Sequence, residues 1–282
     1  MRNRKRRILG CALFLSALLI VTGLAGCGNN GTTSDQNLSG KVSVSGSTTV
    51  LPLAAEASSQ FMDVHPGVQV SVQGGGSSVG ITQLSQGVVD IGMSSRELKP
   101  EEQNLGFVDH KIALDVIVVI TNPGVTVDNL SKDQVKSIFT GGITNWKDLG
   151  GADAPITVVV RDKASGTREM FDEKALDSQD STTAAIEANS NGIVRQTVAS
   201  TQNAIGYISL GYLDGAVKAL RYNGVEGSKD TALAKTYPLS RYLHMFTKGE
   251  PQGVVSVFID FVLSDRFQND VVSREYVPAT EL

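Results

Sequence analysis

Three short segments combine glycine with serine or threonine where a predicted strand ends and a predicted helix begins. They are Ser-Gly-Ser-Thr-Thr at 45–49, Gly-Gly-Gly-Ser-Ser at 74–78 and Ala-Ser-Gly-Thr at 164–167. The first backbone N–H groups of a helix have no partner within it, and the helix dipole is positive there. Glycine lets an anion approach those groups, and the hydroxyls add neutral donors. One such turn is most simply a helix N-cap, but three of them favour a shared oxyanion site.

A cation accompanies the third turn. Arg161 lies four residues before Ser165, and a guanidinium can hold a tetrahedral oxyanion through two parallel hydrogen bonds. The alternative interpretation of Arg161 is a surface arginine paired with Asp162. Together with the three turns, the position of Arg161 favours the oxyanion site.

Segments typical of strands alternate with segments typical of helices along the chain. Alternating or continuous apolar residues predict strands at 41–45, 68–72, 88–93, 112–121, 156–160 and 204–209. Apolar residues at helical spacing predict helices at 50–64, 81–87, 130–140, 168–176 and 254–263. This alternation indicates an α/β fold with mostly parallel sheets. In such a sheet the three turns lie at the carboxyl ends of strands, where ligands bind.

The N-terminal residues have the features of an export signal. Five basic residues lie within 2–7, and a short apolar stretch follows at 8–24. The ending Leu-Ala-Gly-Cys at 24–27 resembles the bacterial lipobox, which implies that Cys27 is alkylated by diacylglycerol and becomes the mature N-terminus. The alternative is a transmembrane anchor with an incidental cysteine. We expect a lipoprotein signal peptide at 1–26 and a flexible tether at 27–40, which is rich in small and polar residues.

The composition disfavours nucleic acid as a partner and disulfides as a source of stability. Removing 1–26 lowers the count of Lys and Arg from 25 to 20, against 29 Asp and Glu, so the mature chain has a net charge of −9. Nucleic acid needs a basic surface, which this balance does not provide. Cys11 leaves with the signal and Cys27 carries lipid, so we expect a fold held together by its core.

Six motifs, in order along the chain, resemble the phosphate-binding proteins of phosphate-specific ABC importers. They lie at 46–49, 76–78, 90–95, 139–146, 161–167 and 204–207. The resemblance covers nearly all of 41–282. Its most specific elements are Arg-x-x-x-Ser-Gly-Thr at 161–167 and Gly-x-x-Asn-Trp at 142–146.

This resemblance implies a two-lobed periplasmic-binding-protein-like fold of type II. Each lobe is then a mostly parallel sheet flanked by helices, and the ligand lies in the cleft between the lobes. We expect lobe I at 41–116 and 243–282 and lobe II at 117–242, because the crossing segments are predicted near 112–121 and 237–246.

The same resemblance implies an extracellular solute-binding lipoprotein that captures inorganic phosphate and delivers it to the permease subunits of an ABC importer. Its location is then the outer face of a Gram-positive cell membrane, with lipid on Cys27 as the anchor. We expect a monomer that is not an enzyme and that needs no cofactor and no metal. The implied phosphate contacts are Thr48, Thr49, Ser77, Ser95, Arg161, Ser165, Gly166 and Thr167.

These contacts differ in the group that they offer. Hydroxyl donors come from Thr48, Ser77, Ser165 and Thr167, backbone N–H groups from Thr49 and Gly166, and the formal charge from Arg161.

One position departs from the family pattern. Many members have an aspartate where this chain has Ser95, and that carboxylate accepts the proton of phosphate and repels sulfate. A serine hydroxyl both accepts and donates, so the exclusion of sulfate stays open. Asp115 is either the missing acceptor or the partner of Arg96 in a buried ion pair. Arg96 and Ser47 are further candidates for the ligand site.

Three other functions stay open. One is the binding of another tetrahedral oxyanion, such as sulfate, molybdate or tungstate, and another is a surface adhesin or receptor built on the same lobes. A third is a serine hydrolase, because Gly-Ser-Ser-Val-Gly at 76–80 matches G-x-S-x-G between a predicted strand and helix. Ser78 is then the nucleophile and His110 or His244 its base. These two histidines and His65 do not have the spacing of metal ligands.

We predict that a Cys27→Ser variant is released from the cell membrane into the medium, because serine has no thiol to carry the lipid. Phosphate binding by the released protein is expected to match that of the wild type. Cell fractionation measures the distribution, with Cys11→Ser as the control that stays anchored. Continued membrane retention of the Cys27→Ser protein contradicts the lipid anchor.

Overall fold

The computed structural model describes residues 38–282. The predicted signal peptide at 1–26, Cys27 and most of the predicted tether at 27–40 lie outside these residues. The first strand begins at Ser39, so residues 39 and 40 of the predicted tether lie in a strand. Within the described residues, no helix has the length and apolar character that a membrane crossing needs.

Strands and helices alternate over most of the described chain. The strands are β1 (Ser39–Gly46), β2 (Gly67–Gly74), β3 (Ile91–Ser94), β4 (Phe107–Thr121), β5 (Asn129–Leu130), β6 (Thr157–Arg161), β7 (Ile186–Ala188), β8 (Ala204–Ser209), β9 (Lys218–Ala219), β10 (Arg221–Tyr222), β11 (Ser240–Lys248) and β12 (Val277–Pro278). The helices are α1 (Leu51–Val64), α2 (Ser77–Ser85), α3 (Lys132–Phe139), α4 (Gly166–Leu176), α5 (Asn191–Ser200), α6 (Lys229–Leu233), α7 (Gly253–Leu263), α8 (Asp265–Phe267) and α9 (Ser273–Glu275). Short 3₁₀ helices lie at Gln103–Leu105, Trp146–Leu149, Leu210–Tyr212 and Ala279–Glu281, and a π-helical stretch lies at Gln268–Val272.

One mixed sheet has the strand order β2-β1-β3-β11-β4-β8-β6-β7. β1 is parallel to β2 and β3, and β6 is parallel to β7 and β8. Between these two parallel groups lie β11 and β4, which are antiparallel to each other and to their outer neighbours. β9 and β12 pair with β4, and β5 pairs with β10 in a separate small sheet.

Two hydrophobic cores use different parts of the same two central strands. The first core contains Ile112 and Ala113 of β4 and Leu243 of β11, packed with α1, α7 and β1 to β3. The second core contains Leu114 and residues 116–120 of β4, packed with α3, α4, α5, β6 and β8, and Tyr242 of β11 packs against it. We call the parts of the chain around the first and the second core lobe I and lobe II. Both β4 and β11 therefore pass from one lobe to the other, and the predicted two-lobed α/β architecture is confirmed.

Three differences between the observed and the predicted elements concern the candidate site and the crossing. Helices α2 and α4 begin at Ser77 and Gly166, earlier than predicted, so the hydroxyl-bearing residues of both turns lie in the first helical turn or, for Ser165, at the N-cap. Helix α5 is not predicted, because Val194 and Val198 are its only fully buried apolar side chains in the described structure and its periodicity is weak. Most of the crossing segment near 237–246 lies in a strand, β11, whose pairing with β4 shifts register between Leu243 and His244.

Close backbone contact at Gly80 holds α2 against the sheet. A Cβ added there would lie 2.6 Å from the Ser45 carbonyl oxygen, 2.8 Å from Gly46 Cα and 2.9 Å from the Met93 carbonyl oxygen. These neighbours are backbone atoms of β1 and β3, so they move only if the strands move. Gly80 therefore sets how closely the N-terminus of α2 approaches the end of β1.

We predict that Gly80→Ala lowers the free energy of unfolding by about 1–3 kcal/mol, because an extra methyl group in a close-packed contact forces the backbone to shift. Gly215→Ala is the matched control, since no atom of residues 38–282 lies within 4 Å of a Cβ added at Gly215. Urea unfolding followed by tryptophan fluorescence measures both variants. If both unfold at the same urea concentration, the close packing of α2 has no role in stability.

Candidate functional site

The three glycine- and hydroxyl-rich turns meet where the two lobes touch. Thr49 Oγ1, just before α1, lies 3.0 Å from Thr167 Oγ1 in the first turn of α4. The Ser78 N–H, at the start of α2, donates to the Ala164 carbonyl oxygen over 3.1 Å. The N-termini of α1, α2 and α4 are therefore neighbours, and their dipoles favour a negative charge at this place.

Ser77 and Ser95 of lobe I pack directly against Gly166 of lobe II. The Ser95 N–H donates to Ser77 Oγ over 3.0 Å, and the two hydroxyl oxygens are 3.3 Å apart. A Cβ added at Gly166 would lie 3.0 Å from Ser77 Cβ and 3.0 Å from Ser95 Oγ. The first turn of α4 therefore needs glycine to approach these two serines.

Arg161, the last residue of β6, is buried, with 1% of its surface exposed. Nη2 donates to Thr48 Oγ1 over 3.0 Å and to the Asn189 carbonyl oxygen over 3.2 Å. Nε and Nη1 have no hydrogen-bond partner among residues 38–282. Burial lowers the pKa of this guanidinium, and buried donors of this kind need an acceptor, which an anion provides. The interpretation as a surface arginine paired with Asp162 is wrong, because the side chain is buried.

Some polar groups of the turns are used within the turns themselves. The Thr49 N–H donates to Ser47 Oγ over 3.1 Å. The expectation that Thr49 offers its backbone N–H is therefore wrong, and its hydroxyl is the group that faces α4. Ser165 Oγ accepts from the Arg168 N–H over 3.2 Å as the N-cap of α4. Its own hydroxyl proton stays available for a ligand.

Both carboxylate oxygens of Asp115 already have protein partners. Oδ2 accepts from Arg241 Nε over 3.1 Å and from Arg241 Nη2 over 2.9 Å, and Oδ1 accepts from Ser209 Oγ over 2.6 Å. Burial raises the pKa of Asp115, and the charge of Arg241 opposes this rise. The alternative in which Asp115 forms an ion pair with Arg96 is therefore wrong, since the partner is Arg241.

Arg96 connects the two lobes. Nη1 and Nη2 donate to the two carboxylate oxygens of Glu102 over 2.6 and 2.8 Å. Nε lies 3.0 Å from Glu169 Oε2 on α4, within ion-pair distance although not aligned as a hydrogen bond. Lys99 Nζ lies 3.2 Å from the same oxygen. With two carboxylates around its guanidinium, Arg96 links lobe I to lobe II and is not a second anion ligand in this geometry.

Arg241 of β11 and Asn191 at the start of α5 belong to the site but are missed by the sequence analysis. Arg241 Nη2 donates to Thr167 Oγ1 over 2.9 Å and to Thr49 Oγ1 over 3.3 Å. Asn191 Nδ2 donates to Thr49 Oγ1 over 2.9 Å. The signal for Arg241 is a charged residue directly before the mostly apolar segment 242–246, whereas Asn191 has no comparable signal.

The charges around the three turns leave one positive charge without a carboxylate partner. Arg241 is balanced by Asp115, and Arg96 is balanced by Glu102. Within residues 38–282, no carboxylate lies within 4.0 Å of the Arg161 nitrogens. An anion near Arg161 therefore gains a charge-assisted hydrogen bond without displacing an existing ion pair.

Ser78 is not placed as the nucleophile of a catalytic pair in this conformation. Each of the two candidate bases has another partner. His110 Nε2 lies 3.0 Å from Thr247 Oγ1, and His244 Nδ1 lies 2.8 Å from Asp109 Oδ1. A general base must be within hydrogen-bond reach of its nucleophile, and in the described chain neither histidine is bonded to Ser78.

Glu97, Asp109 and His244 form a small acidic cluster outside the three turns. One ligand-type atom of each lies within 4.8 Å of the others. Asp109 approaches Nδ1 of the buried imidazole at 2.8 Å, whereas Glu97 approaches Nε2 at 3.6 Å. Because the two carboxylates approach different ring nitrogens, they hold the ring between them and do not point to one coordination position.

Comparison with known proteins connects this geometry to a family. Residues 31–266 match the family model described as the PBP superfamily domain. The chain is 36% identical over 291 aligned residues to the phosphate-binding protein PstS of Bacillus subtilis (strain 168), which covers 99% of this chain and 96% of that protein. It is 32% identical over 250 residues to the phosphate-binding protein PstS of Borreliella burgdorferi, with 83% and 88% covered.

Two solved structures have the same fold. One is a phosphate ABC transporter substrate-binding protein with bound phosphate from Clostridium perfringens. It superposes with a TM-score of 0.82 at 39% identity, over 85% of this chain and 100% of that chain. An ABC-type phosphate transport receptor from Vibrio cholerae superposes with a TM-score of 0.72 at 32% identity, over 84% and 99%. The predicted periplasmic-binding-protein-like fold is confirmed by these likenesses.

We predict that Glu169→Gln moves the ligand-stripped protein toward a more open arrangement, because it removes the carboxylate that Arg96 and Lys99 contact from the other lobe. Ion pairs with an exposed partner contribute about 0–1 kcal/mol, so a small rise in the radius of gyration is expected. Small-angle X-ray scattering measures it. Glu173→Gln, an exposed change one turn later on α4, is the control. Identical scattering from both variants and the wild type contradicts a role for this link in closure.

Proposed function

Because the chain belongs to the family of PstS phosphate-binding proteins within the PBP superfamily, we propose that it captures inorganic phosphate and delivers it to an ABC importer. One observation carries the choice of an anionic ligand. The buried guanidinium of Arg161, with two nitrogens that lack a partner in 38–282, lies where the N-termini of three helices meet. The names of the relatives point to phosphate as that anion.

In this proposal the phosphate is bound by residues from all three turns. Arg161 supplies the positive charge, Gly166 supplies a backbone N–H, and hydroxyl groups supply the other donors. The proposed direct contacts are Thr48, Ser77, Ser95, Arg161, Ser165, Gly166 and Thr167, and Thr49 takes part through its hydrogen bond with Thr167. Support comes from the direct contacts between turns of different lobes, such as that of Thr49 with Thr167.

Binding in this proposal is coupled to closure of the cleft. The ligand contacts come from both lobes, so they exist together only when the lobes are in contact, and phosphate therefore favours the closed state. We assign lobe I to 41–116 and 243–282 and lobe II to 117–242. A crossing near these boundaries is supported by the change of core between Ala113 and Leu114 on β4 and between Tyr242 and Leu243 on β11. The protein carries its ligand without chemical change and releases it at the permease.

A second candidate is a wider specificity for tetrahedral oxyanions that includes sulfate. Ser95 stands where many family members have the aspartate that accepts the proton of phosphate. Asp115 is not a free acceptor for the proton of phosphate in place of that aspartate, because its carboxylate oxygens already accept from Arg241 and Ser209. The hydroxyls of Ser77 and Ser95 are then the acceptors next to the ligand, and hydroxyls also donate.

We further propose that the mature protein is a monomer at the outer face of the cell membrane. The Leu-Ala-Gly-Cys sequence at 24–27 supports a lipid anchor on Cys27. Between Cys27 and the start of β1 at Ser39 lie residues that, fully extended, span at most about 40 Å. This length keeps the binding lobes close to the membrane in which a permease partner lies.

Calorimetric titration of the 28–282 fragment, stripped of ligand, tests the proposed function. Phosphate is expected to bind, and Arg161→Ala is expected to weaken binding by about 100-fold, because hydrogen bonds to a charged group contribute about 1.5–3 kcal/mol and more than one is lost. Arg221→Ala is the control, since Arg221 is an exposed arginine of the same lobe, and its affinity is expected to equal that of the wild type.

The same titration with sulfate separates the two candidates. Strong phosphate binding with no response to sulfate supports the phosphate receptor, and comparable binding of both anions supports the wider specificity. Unchanged phosphate affinity in Arg161→Ala rejects the site, and no heat from either anion rejects both functions.

A further inference from the structure

We propose that Arg241 is a positioning residue that fixes the direction of the hydroxyl protons of Thr49 and Thr167, so that Thr167 donates to the bound anion. This inference rests on the proposed function of the site. It gives Arg241 a role that differs from that of Arg161, because the charge of Arg241 is balanced by Asp115.

The hydrogen bonds around Thr49 determine where its hydroxyl proton points. A hydroxyl group has two lone pairs and one proton. Thr49 Oγ1 accepts from Asn191 Nδ2 over 2.9 Å and from Arg241 Nη2 over 3.3 Å. Both donors are nitrogens that only donate, so the lone pairs of Thr49 are used. Its proton must then be donated, and Thr167 Oγ1 lies 3.0 Å away.

The orientation of the Asn191 amide is itself determined by its neighbours. Amide oxygen and nitrogen are assigned from the hydrogen bonds that they make. Asn191 Oδ1 accepts from the Ser209 N–H over 3.1 Å, and a backbone N–H only donates. The other end of the amide is therefore the NH₂ group, and it is this group that donates to Thr49.

The hydroxyl oxygen of Thr167 also accepts two hydrogen bonds. It accepts from Arg241 Nη2 over 2.9 Å and from the Thr49 hydroxyl over 3.0 Å. Both of its lone pairs are then used, and only its proton is left to donate. Within residues 38–282, no acceptor is recorded for this proton. Thr167 lies in the first turn of α4 beside Gly166, so its proton is available to an anion at that helix N-terminus.

The position of Arg241 follows from the two crossing strands. Arg241 of β11 is paired in register with Asp115 of β4. Asp115 binds the edge of the guanidinium formed by Nε and Nη2, and Ser209 holds the other carboxylate oxygen. The second proton of Nη2 is thereby directed to the two threonines. The threonine side of the site offers protons only, so a bound phosphate presents unprotonated oxygens there.

A double-mutant cycle for phosphate affinity tests this role. Thr167→Val is measured in the wild type and in the paired background Asp115→Asn/Arg241→Met, which removes both charges of the buried pair together. In the wild type the loss of the Thr167 hydroxyl is expected to weaken phosphate binding about tenfold, as for one hydrogen bond to a charged group. In the paired background the loss is expected to shrink to about twofold, because the hydroxyl is no longer directed to the anion.

Thr48→Val is the matched control in both backgrounds. The Thr48 hydroxyl accepts from Arg161 rather than from Arg241. The loss of phosphate affinity caused by Thr48→Val is therefore expected to be the same in both backgrounds. An equal cost of Thr167→Val in both backgrounds refutes the positioning role and leaves Arg241 as an ion-pair partner of Asp115. If the wild-type protein does not bind phosphate at all, the proposed function itself is rejected. This outcome differs from failure of the positioning role, in which the wild type binds phosphate and Thr167→Val weakens binding equally in both backgrounds.

The thermal melting curve of Asp115→Asn/Arg241→Met shows whether this variant folds. If it does not fold, a second variant tests the same role. Arg241→Lys keeps the charge next to Asp115 but lacks the planar fork that reaches the carboxylate and both threonines at once. In this background as well, Thr167→Val is expected to weaken phosphate binding by less than tenfold. An unchanged tenfold cost there refutes the proposal.

Discussion

The burial of Arg161 is the constraint on which the rest of the structure depends. With 1% of its surface exposed, the guanidinium has lost almost all of its water, and protein acceptors reach one of its three nitrogens. Burying a charge costs several kcal/mol unless partners replace the lost solvation. The neighbouring helix N-termini cannot replace it, because the end of the dipole that they present is also positive. Contact between the lobes and an anion beside Arg161 therefore favour each other.

The other buried charges near Arg161 are paired, and glycines allow the close contact between the lobes. Asp115 balances Arg241, and Glu102 balances Arg96, so among these three arginines only Arg161 has no carboxylate within 4.0 Å in residues 38–282. Gly166 lets α4 reach the two serines of lobe I. Gly76 has a positive φ of 97°, and a Cβ there would lie 2.6 Å from the Ala164 carbonyl oxygen. Gly166 and Gly76 are thus positions at which the absence of a side chain lets the backbones of the two lobes meet.

Much of this site can be predicted from the sequence, because its main parts are local. A glycine- and hydroxyl-rich turn between a strand and a helix is a pattern of a few adjacent residues, and Arg161 lies within the third such pattern. Arg241 and Asn191 are different. Arg241 reaches Asp115 across 126 residues of sequence, and Asn191 reaches Thr49 across 142. Such contacts depend on the register of β4 with β11 and on the packing of α5, which no short segment specifies. The same register decides that Asp115 pairs with Arg241 and not with Arg96.

The two crossing strands also determine what kind of motion the lobes can make. β4 and β11 lie side by side, joined by an antiparallel ladder that extends through the crossing, with Arg241 opposite Asp115. Sliding one strand along the other breaks several ladder hydrogen bonds at once, whereas bending the pair as a ribbon keeps them. Bending of the lobes about the crossing is therefore the motion that breaks the fewest hydrogen bonds between these two strands. Its pivot is set by the paired backbone at the crossing, and a bend of a few degrees there is amplified into a much larger displacement at the far rim of the cleft.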